Sequence, residues 1–420
     1  MARTKAELSR GARLSDYLSA SLLARVYPMP LVNDVLHEHG CNSQRVRLFP
    51  ASAGVYYCMA LSLYPEASYE SVFGAVVDGL AWMQGEAIGG SVAKSSISQL
   101  RNKIGHAPLK ELHRRVCTPL AVAREHPDAF YAGLRLVAID GSNFEIPDEK
   151  ENVAAFGYPG SRTGYAGYPQ AQCAVLVECG THAIIAANLG AYRTGEWEIC
   201  KPLLATLAPG MLCMADRGFN GYEHFKAASE TGAELLWRCA SNRRLRVEET
   251  LSDGSYLSAI HPAPLRHRTE TIPVRVIEYD LPEVDGEPTR YRLLTTLLDE
   301  RKAPALELAA LYHERWEVEA VFDELKTHLR QGRRTFRSKT AEGVRQEFYG
   351  WLLAHYAVRW LMHQAASEHR IKQRSLSFIA HVQLVRQAQP RSGAFPPGAP
   401  KKAQTMVSAT ARARRNATGR

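Results

Sequence analysis

No stretch of this 420-residue chain approaches the roughly 18 to 20 consecutive apolar residues that a helix needs to cross a bilayer, so no membrane partner is expected. The opening residues (Met1, Arg3, Lys5, Glu7, Arg10) also lack the apolar stretch of a signal peptide, which makes the cytoplasm the default location. Cysteine occurs eight times but never as C-x-x-C, and most copies lie inside apolar segments such as CAVLVEC. Reduced core residues are therefore expected, and neither a zinc site nor a disulfide framework. His37 and His39 have no Cys or His cluster near them, so a helix end suits them better than a metal. No repeat of fixed period runs through the chain. Acidic residues are missing altogether from Arg391 onward, where Arg391, Lys401, Lys402, Arg412, Arg414, Arg415 and Arg420 stand alone. Such a tail reads as solvated and disordered, and compatible with loose phosphate binding.

What is present is the composition of a folded protein, with 45% hydrophobic and 23% charged residues. The length points to more than one folding unit, because single cores rarely grow past about 250 residues. A net charge of +9 favours a polyanionic partner. The first 110 or so residues carry apolar positions at helical spacing in SASLLARV, PLVNDVLHEH and SYESVFGAVVDGLAWM, with Pro or Gly between them. They predict a helical N-terminal domain over 1–115. In its last element Ser95 or Ser96 can cap a helix whose Ile97, Leu100 and Ile104 face inward, leaving Gln99, Arg101, Asn102 and Lys103 outward. Those side chains suit DNA reading, and equally a merely solvated face.

From residue 134 the period changes. LRLVAID, QAQCAVLVEC and THAIIAANLG read as three strands, the last two as a hairpin. EWEICKPLLATL, MLCMAD, NGYEHFKAASE and AELLWRCA then alternate helix and strand, which predicts an α/β fold with a mixed sheet over 130–365. Short extended runs between about 241 and 300 read as a β-rich insertion. One long helix is expected from about Ala305 to Arg330 and another from about Ala341 to Ala366. Residues 366–420 remain for a C-terminal helix and the basic tail, with PRSGAFPPGAP marking the end of order.

Asp140 and Asp216 each end an apolar strand, with Gly141 and Gly218 close behind. Turn formers and paired catalytic acids both fit that pattern. On the long helix, Tyr312, Arg315, Glu319 and Lys326 fall within a stripe roughly 60° wide at 100° per residue. A salt-bridged solvent face is one reading. The other is a DNA track, since Lys326, Arg330, Arg333, Arg334, Arg337 and Lys339 follow without an acid after Lys326. Glu324 and Asp323 point off the stripe and read as surface charges.

YHERWEVEAVFDELK resembles the Y-x2-R-x3-E-x6-K signature of DDE transposases from bacterial insertion sequences of the insertion-sequence 4 type. IDGSNFEIPDEKENVAAFG and MADRGFNGYE are similar to the two aspartate blocks of that family, in the same order, and LFPASAGVYYCMALSLYPEASYESV to its N-terminal domain. The resemblance implies a ribonuclease-H-like fold with a β-rich insertion. It implies Asp140, Asp216 and Glu319 as the catalytic acids, holding two Mg²⁺ or Mn²⁺ ions. It implies Tyr312, Arg315 and Lys326 as contacts to the phosphates of double-stranded DNA; the basic run adds Arg330, Arg333 and Arg334, and the exposed face of the N-terminal helix adds Gln99, Arg101 and Lys103 for reading the transposon end, its terminal inverted repeat. Target DNA as a second substrate, a homodimer on the paired ends and a nucleoid-associated location follow from the same resemblance. A non-catalytic DNA-binding descendant and a nuclease of the same fold are the alternatives. Relatives that form a DNA hairpin stabilise a flipped base with an aromatic in the insertion, but residues 241–300 contain only Tyr256, Tyr279 and Tyr291. Trp237 and Trp316 read as packing residues.

Overall fold

The computed structural model describes residues 21–43, 50–84, 93–161, 164–165, 167–219, 221–240, 243–262, 270–281, 289–331 and 333–387. The basic tail after Arg391 lies outside them. Among the described residues a 10-stranded mixed sheet forms the centre. Its strands are β1 Phe130–Tyr131, β2 Leu134–Glu145, β3 Gln170–Glu178, β4 Ala183–Ala191, β5 Met211–Ala215, β6 Glu234–Arg238, β7 Glu249–Thr250, β8 Tyr256–Ile260, β9 Ile272–Leu281 and β10 Thr289–Thr295. The order across the sheet is β4-β3-β2-β5-β6-β10-β9-β8-β7, with β1 pairing β2 off that path. β2, β3 and β4 run antiparallel, whereas β5 lies parallel to β2 and β6 parallel to β5. Near-continuous apolar runs such as Leu136–Ile139 and Leu212–Ala215 are buried on both faces, as central strands must be.

The segment expected as a β-rich insertion continues this sheet. β10 pairs antiparallel with β6, Leu294 opposite Trp237, so β7 to β10 extend the sheet. The short extended runs, set apart by Pro, Gly and Asp, revealed the strands. Pairing with β6 depends on contacts far apart in sequence, which local pattern does not carry.

Of the N-terminal helices α1 Met29–Glu38, α2 Ala51–Leu63, α3 Tyr69–Gln84, α4 Lys94–Ile104 and α5 Ala107–Val116, α2, α4 and α5 pack on a long C-terminal helix, α11 Ala341–His369, and α1 and α3 lie against α2. α2 is apolar on every side and nearly every residue in it is buried. It crosses α11 where Gly350 brings the two backbones together: a Cβ at 350 would stand 2.5 Å from the Cys58 carbonyl oxygen. Tyr27 donates its hydroxyl to the Leu353 carbonyl at 2.7 Å, tying the first described segment to the same helix. α4 begins at Lys94 with Ala93 as its N-cap, so Ser95 and Ser96 lie inside it and do not cap it. α11 is capped by Thr340, whose Oγ1 accepts from the Gly343 amide at 3.1 Å, and runs to His369.

Three short helices complete the elements around the sheet: α6 Lys150–Phe156, α7 Glu196–Cys200 after the β3–β4 hairpin, and α8 Tyr222–Ser229 between β5 and β6. The expected helix from Ala305 to Arg330 is not uniform. It is built as α9 Ala305–Tyr312, a 3₁₀ turn over His313–Trp316, α10 Glu317–Asp323 and a π-helical turn over Glu324–Leu329. The 3₁₀ turn tightens the winding and the π turn loosens it. α12, Phe378–Gln387, follows α11. Among the described residues no helix is long and apolar enough to cross a membrane. All eight cysteines are free, and all but Cys41 are buried, as their apolar settings led one to expect.

Candidate active site

Strand register alone brings two of the acids together. In the parallel β2–β5 pair Ile139 stands opposite Ala215, so Asp140 and Asp216 are the next residues on neighbouring strands. Adjacent strands lie roughly 4.8 Å apart. β5 stops there and the chain turns away through Arg217–Phe219. β2 does not stop, contrary to expectation: it runs on to Glu145 against β3, with Asp140 paired to Val175.

The third acid comes from the irregular helix, whose polar stripe faces these strand ends. Tyr312 is buried and donates its hydroxyl to the carbonyl of Ala215, the residue before Asp216, at 3.2 Å. Arg315 is buried too, with Nη1 at 3.3 Å from Asp140 Oδ2 and Nη2 at 3.7 Å from Glu319 Oε1. Glu319 itself is exposed. The half-buried Lys326 donates to Ser142 Oγ at 2.6 Å and lies 5.0 Å from the centre of the Phe144 ring. All four stripe residues thus meet β2 or the end of β5, directly or through Arg315, which a solvated helix face does not do.

Burial pushes the Asp140 carboxyl up from its ordinary range. The Gly141 amide, donating to Oδ1 at 2.8 Å, and the Arg315 guanidinium oppose that, while the charges of Asp216 and Glu319 add to it. Asp216 Oδ1 is buried and accepts no hydrogen bond; Arg238 Nη1 is 3.9 Å away. Arg238 also lies 4.1 Å over the Tyr291 ring, and Tyr291 stacks on Tyr279, so the added strands reach the site through this arginine.

Sequence reasoning passed over a further acid. Glu196, the first residue of α7, reaches between the two aspartate segments: a Cβ on Gly141 would fall 2.3 Å from its Oε1 and one on Gly218 3.3 Å from its Oε2. Burial raises its carboxyl too, followed by the charges of Asp140 and Asp216. Only the glycine beside each aspartate hinted at this, by leaving room for something.

Among the described residues no three His, Cys, Asp or Glu side chains stand close enough together to hold a metal ion. Arg315 occupies the space between Asp140 and Glu319 and supplies positive charge there. The donors nonetheless suit a hard divalent ion: they are carboxylate oxygens, and one of them, Asp216 Oδ1, is buried without a donor of its own.

A family model of the transposase DDE domain matches residues 131–357, more than half of the chain, and one of the insertion element 4 transposase N-terminal region matches residues 18–114. The chain belongs to the DDE transposase family. The transposase InsG for insertion sequence element IS4 of Escherichia coli (strain K12) is 28% identical over 354 residues, which cover 83% of this chain and 76% of that protein. The putative transposase InsZ of the same organism is 25% identical over 261 residues, covering 54% of this chain and 85% of that protein. A piggyBac transposase synaptic complex with hairpin DNA aligns with a TM-score of 0.46 and 12% identity, over 93% of this chain and 85% of that one. This transposase is thus a DNA-transposition enzyme of a family that uses divalent metal ions, on the expected ribonuclease-H-like fold.

Other expected contacts of the transposase are placed differently from the sequence reading. Arg101 does not face outward: its guanidinium donates to Gln346 Oε1 at 2.7 Å and Ser338 Oγ at 2.9 Å, joining α4 to α11. Gln99, Asn102 and Lys103 are exposed, and Lys103 donates to the Asn42 carbonyl. Arg330 turns inward over the Phe336 and Trp351 rings. The basic run lacks acids in sequence but not in space, because Arg333 meets Glu66 at 3.3 Å, Arg334 meets Glu145 and Lys339 meets Glu149. Glu324 is buried and no surface charge: Arg359, His355 and His182 surround it. Trp237 packs in the core as expected, against Phe219 and Phe225. Trp316 does not, being 51% exposed beside Arg315.

Proposed function

We propose that this transposase cuts DNA at the terminal inverted repeats of the insertion sequence that encodes it and joins the freed ends to target DNA, with Asp140, Asp216 and Glu319 holding two Mg²⁺ or Mn²⁺ ions. The observation that supports this most strongly is the β2–β5 register: it sets Asp140 beside Asp216, while Arg315 connects Asp140 to Glu319. Divalent ions held by such carboxylates activate a hydroxyl for attack on a phosphodiester and neutralise the leaving oxygen. The protein's own groups prepare the place. Tyr312 fixes the helix to the end of β5, which keeps Glu319 within reach of the aspartates. Arg315 relieves repulsion between Asp140 and Glu319, and its planar fork is of the kind that would grip a phosphate at this position. Lys326, at Ser142, supplies a point charge to the same DNA strand two residues beyond Asp140. The exposed Arg333 and Arg334 reach flanking phosphates by exchanging their ion pairs with Glu66 and Glu145 for them.

Residues 130–365 carry the chemistry in this reading and the helical region up to residue 115 grips the DNA end, with the exposed Gln99 and Lys103 nearest to it. Two copies bring two ends together as a homodimer. The experiment is incubation of the purified chain with linear DNA carrying the ends of its own element. Cleavage at the element's boundary in Mg²⁺ or Mn²⁺, absent with chelator and absent on DNA lacking the ends, is the expected result. Metal-independent cleavage, or cutting indifferent to the ends, overturns the proposal.

A further inference from the structure

We infer that Glu347 of α11 is a positioning residue for DNA binding: it holds the strap of residues 333–340 so that Arg333 and Arg334 are presented to the phosphates that flank the cut. The inference rests on the reading of these two arginines as phosphate contacts and adds the group that places them.

The strap leads from the helix that carries Glu319 and Lys326 to the start of α11. Its middle is held on two sides. Phe336 is buried, and its amide donates to the Glu145 carbonyl at the end of β2 at 3.3 Å. From the other side the buried carboxylate of Glu347, two turns into α11, reaches back to the strap. It accepts from the Arg337 amide at 2.9 and 3.1 Å, from the Ser338 amide at 3.0 Å and from the Ser338 hydroxyl at 2.7 Å. Two consecutive backbone amides thus depend on one side chain. A buried carboxylate is costly unless its charge is met. Arg101 of α4 comes to it through Ser338, its Nη2 donating to that hydroxyl oxygen at 2.9 Å and its Nε to Gln346 Oε1 at 2.7 Å.

The charge on the strap shows what this hold achieves. Arg333, Arg334, Arg337 and Lys339 fall within seven residues with no acid among them. Like charges so close repel one another, and a free strap would spread them. The clamp instead divides them. Arg337 is drawn in, its Nη2 donating to the Ala67 carbonyl at 3.0 Å and its guanidinium lying 4.2 Å over the Tyr69 ring. Arg333 and Arg334 stay exposed, with ion pairs to Glu66 and Glu145 that water screens and a phosphate can replace. On their other side Gln331 has φ 52°, a left-handed turn that a non-glycine residue keeps only when its surroundings enforce it. The two arginines therefore sit between a fixed turn and the Glu347 clamp. Cations on a fixed backbone lose less freedom on binding than cations on a loose loop, which is the gain a positioning residue brings.

The test is binding of the full chain to duplex DNA carrying the element's ends, without divalent metal, over a series of salt concentrations. Wild type, Glu347→Gln, the double variant Arg333→Ala with Arg334→Ala, and all three changes together are compared at a temperature where each is folded. Each phosphate contact contributes about 0.9 to the slope of log affinity against log salt. Glu347→Gln is expected to lower the slope by about 1 to 2, the double arginine variant by about 2, and the triple variant by no more than the double. A side chain that only supports the fold would lower the melting temperature and leave the slope of the folded protein unchanged. Should Glu347→Gln not fold, Glu347→Asp, which keeps the charge and withdraws the oxygens from the two amides, decides in the same way. If the arginine variant flattens the slope and Glu347→Gln does not, the positioning role is overturned and the phosphate contacts stand. If the triple variant loses clearly more than the double, Glu347 acts elsewhere and the inference also fails. If the arginine variant keeps the wild-type slope, the phosphate reading falls and Glu347 with it.

Discussion

Glu324 takes its importance from one turn of irregular helix. It lies five residues beyond Glu319, where an ideal helix would turn it away from the active-site stripe, and it does turn away, but into the protein. Arg359 and His355 from α11 both reach its carboxylate, His355 Nε2 at 2.9 Å and Arg359 Nε at 3.0 Å. Because Arg359 already balances the charge, His355 can remain neutral and donate. Burial lowers its pKa to about 3, in keeping with that role. His182, at the β3–β4 turn, approaches the other oxygen at 3.2 Å. One carboxylate thereby fastens the end of the Glu319-bearing helix to α11 and to the sheet. Glu324→Ala should leave the Arg359 guanidinium buried without its partner and lower the free energy of unfolding by about 3 to 5 kcal/mol, the range for breaking one side of a buried pair. Urea denaturation checks this, and a loss under about 0.5 kcal/mol would return Glu324 to the surface charges it resembles in sequence. Nothing in the run DELK separates a buried Glu324 from an exposed Asp323. The difference comes from α11, some thirty residues later.

At the scale of elements, the strands of the sheet were legible because apolar runs bounded by Gly and Pro persist whatever surrounds them. The β3–β4 hairpin and the alternation through α8 follow directly from pattern. The 3₁₀ and π turns were not legible, since a helical period cannot reveal where the winding changes. That the stripe still faces β2 and the end of β5 follows from its anchors, Tyr312 on Ala215 and Lys326 on Ser142. Such irregular turns tend to sit at functional positions. The crossing of α2 and α11 was equally hidden, because a glycine within FYGWLL reads only as a weak helix former. In the structure it is the contact itself. Gly350→Ala should raise intrinsic helix propensity by about 1 kcal/mol. It nonetheless puts a Cβ 2.5 Å from a backbone oxygen that cannot swing aside. Overpacking of that kind costs about 1 to 3 kcal/mol, so net destabilisation is expected. A variant that melts above wild type would mean that the helices part freely at this point.

For the molecule as a whole, charge and connectivity have to be considered together. A net charge of +9 suits a DNA partner, yet several of the arginines that would form a continuous basic track are engaged within the protein by acids and rings from distant parts of the chain. The candidate acids were legible one by one, as residue types at signature spacing. Their assembly was not, for it depends on a parallel register between β2 and β5 and on a helix that returns after five further strands have widened the sheet. Glu196 escaped because it belongs to no signature. The central claim is that Asp140, Asp216 and Glu319 act as one metal-dependent site. Its most direct measurement is single-turnover cleavage of end-bearing DNA in Mg²⁺ by Asp140→Asn, Asp216→Asn and Glu319→Gln, with end binding measured on the same preparations. Each variant is expected to bind the ends as wild type does and to cut at least about a hundredfold more slowly, the scale of removing one preorganised charge-stabilising group. Near wild-type cleavage by any of the three would contradict the account at that residue.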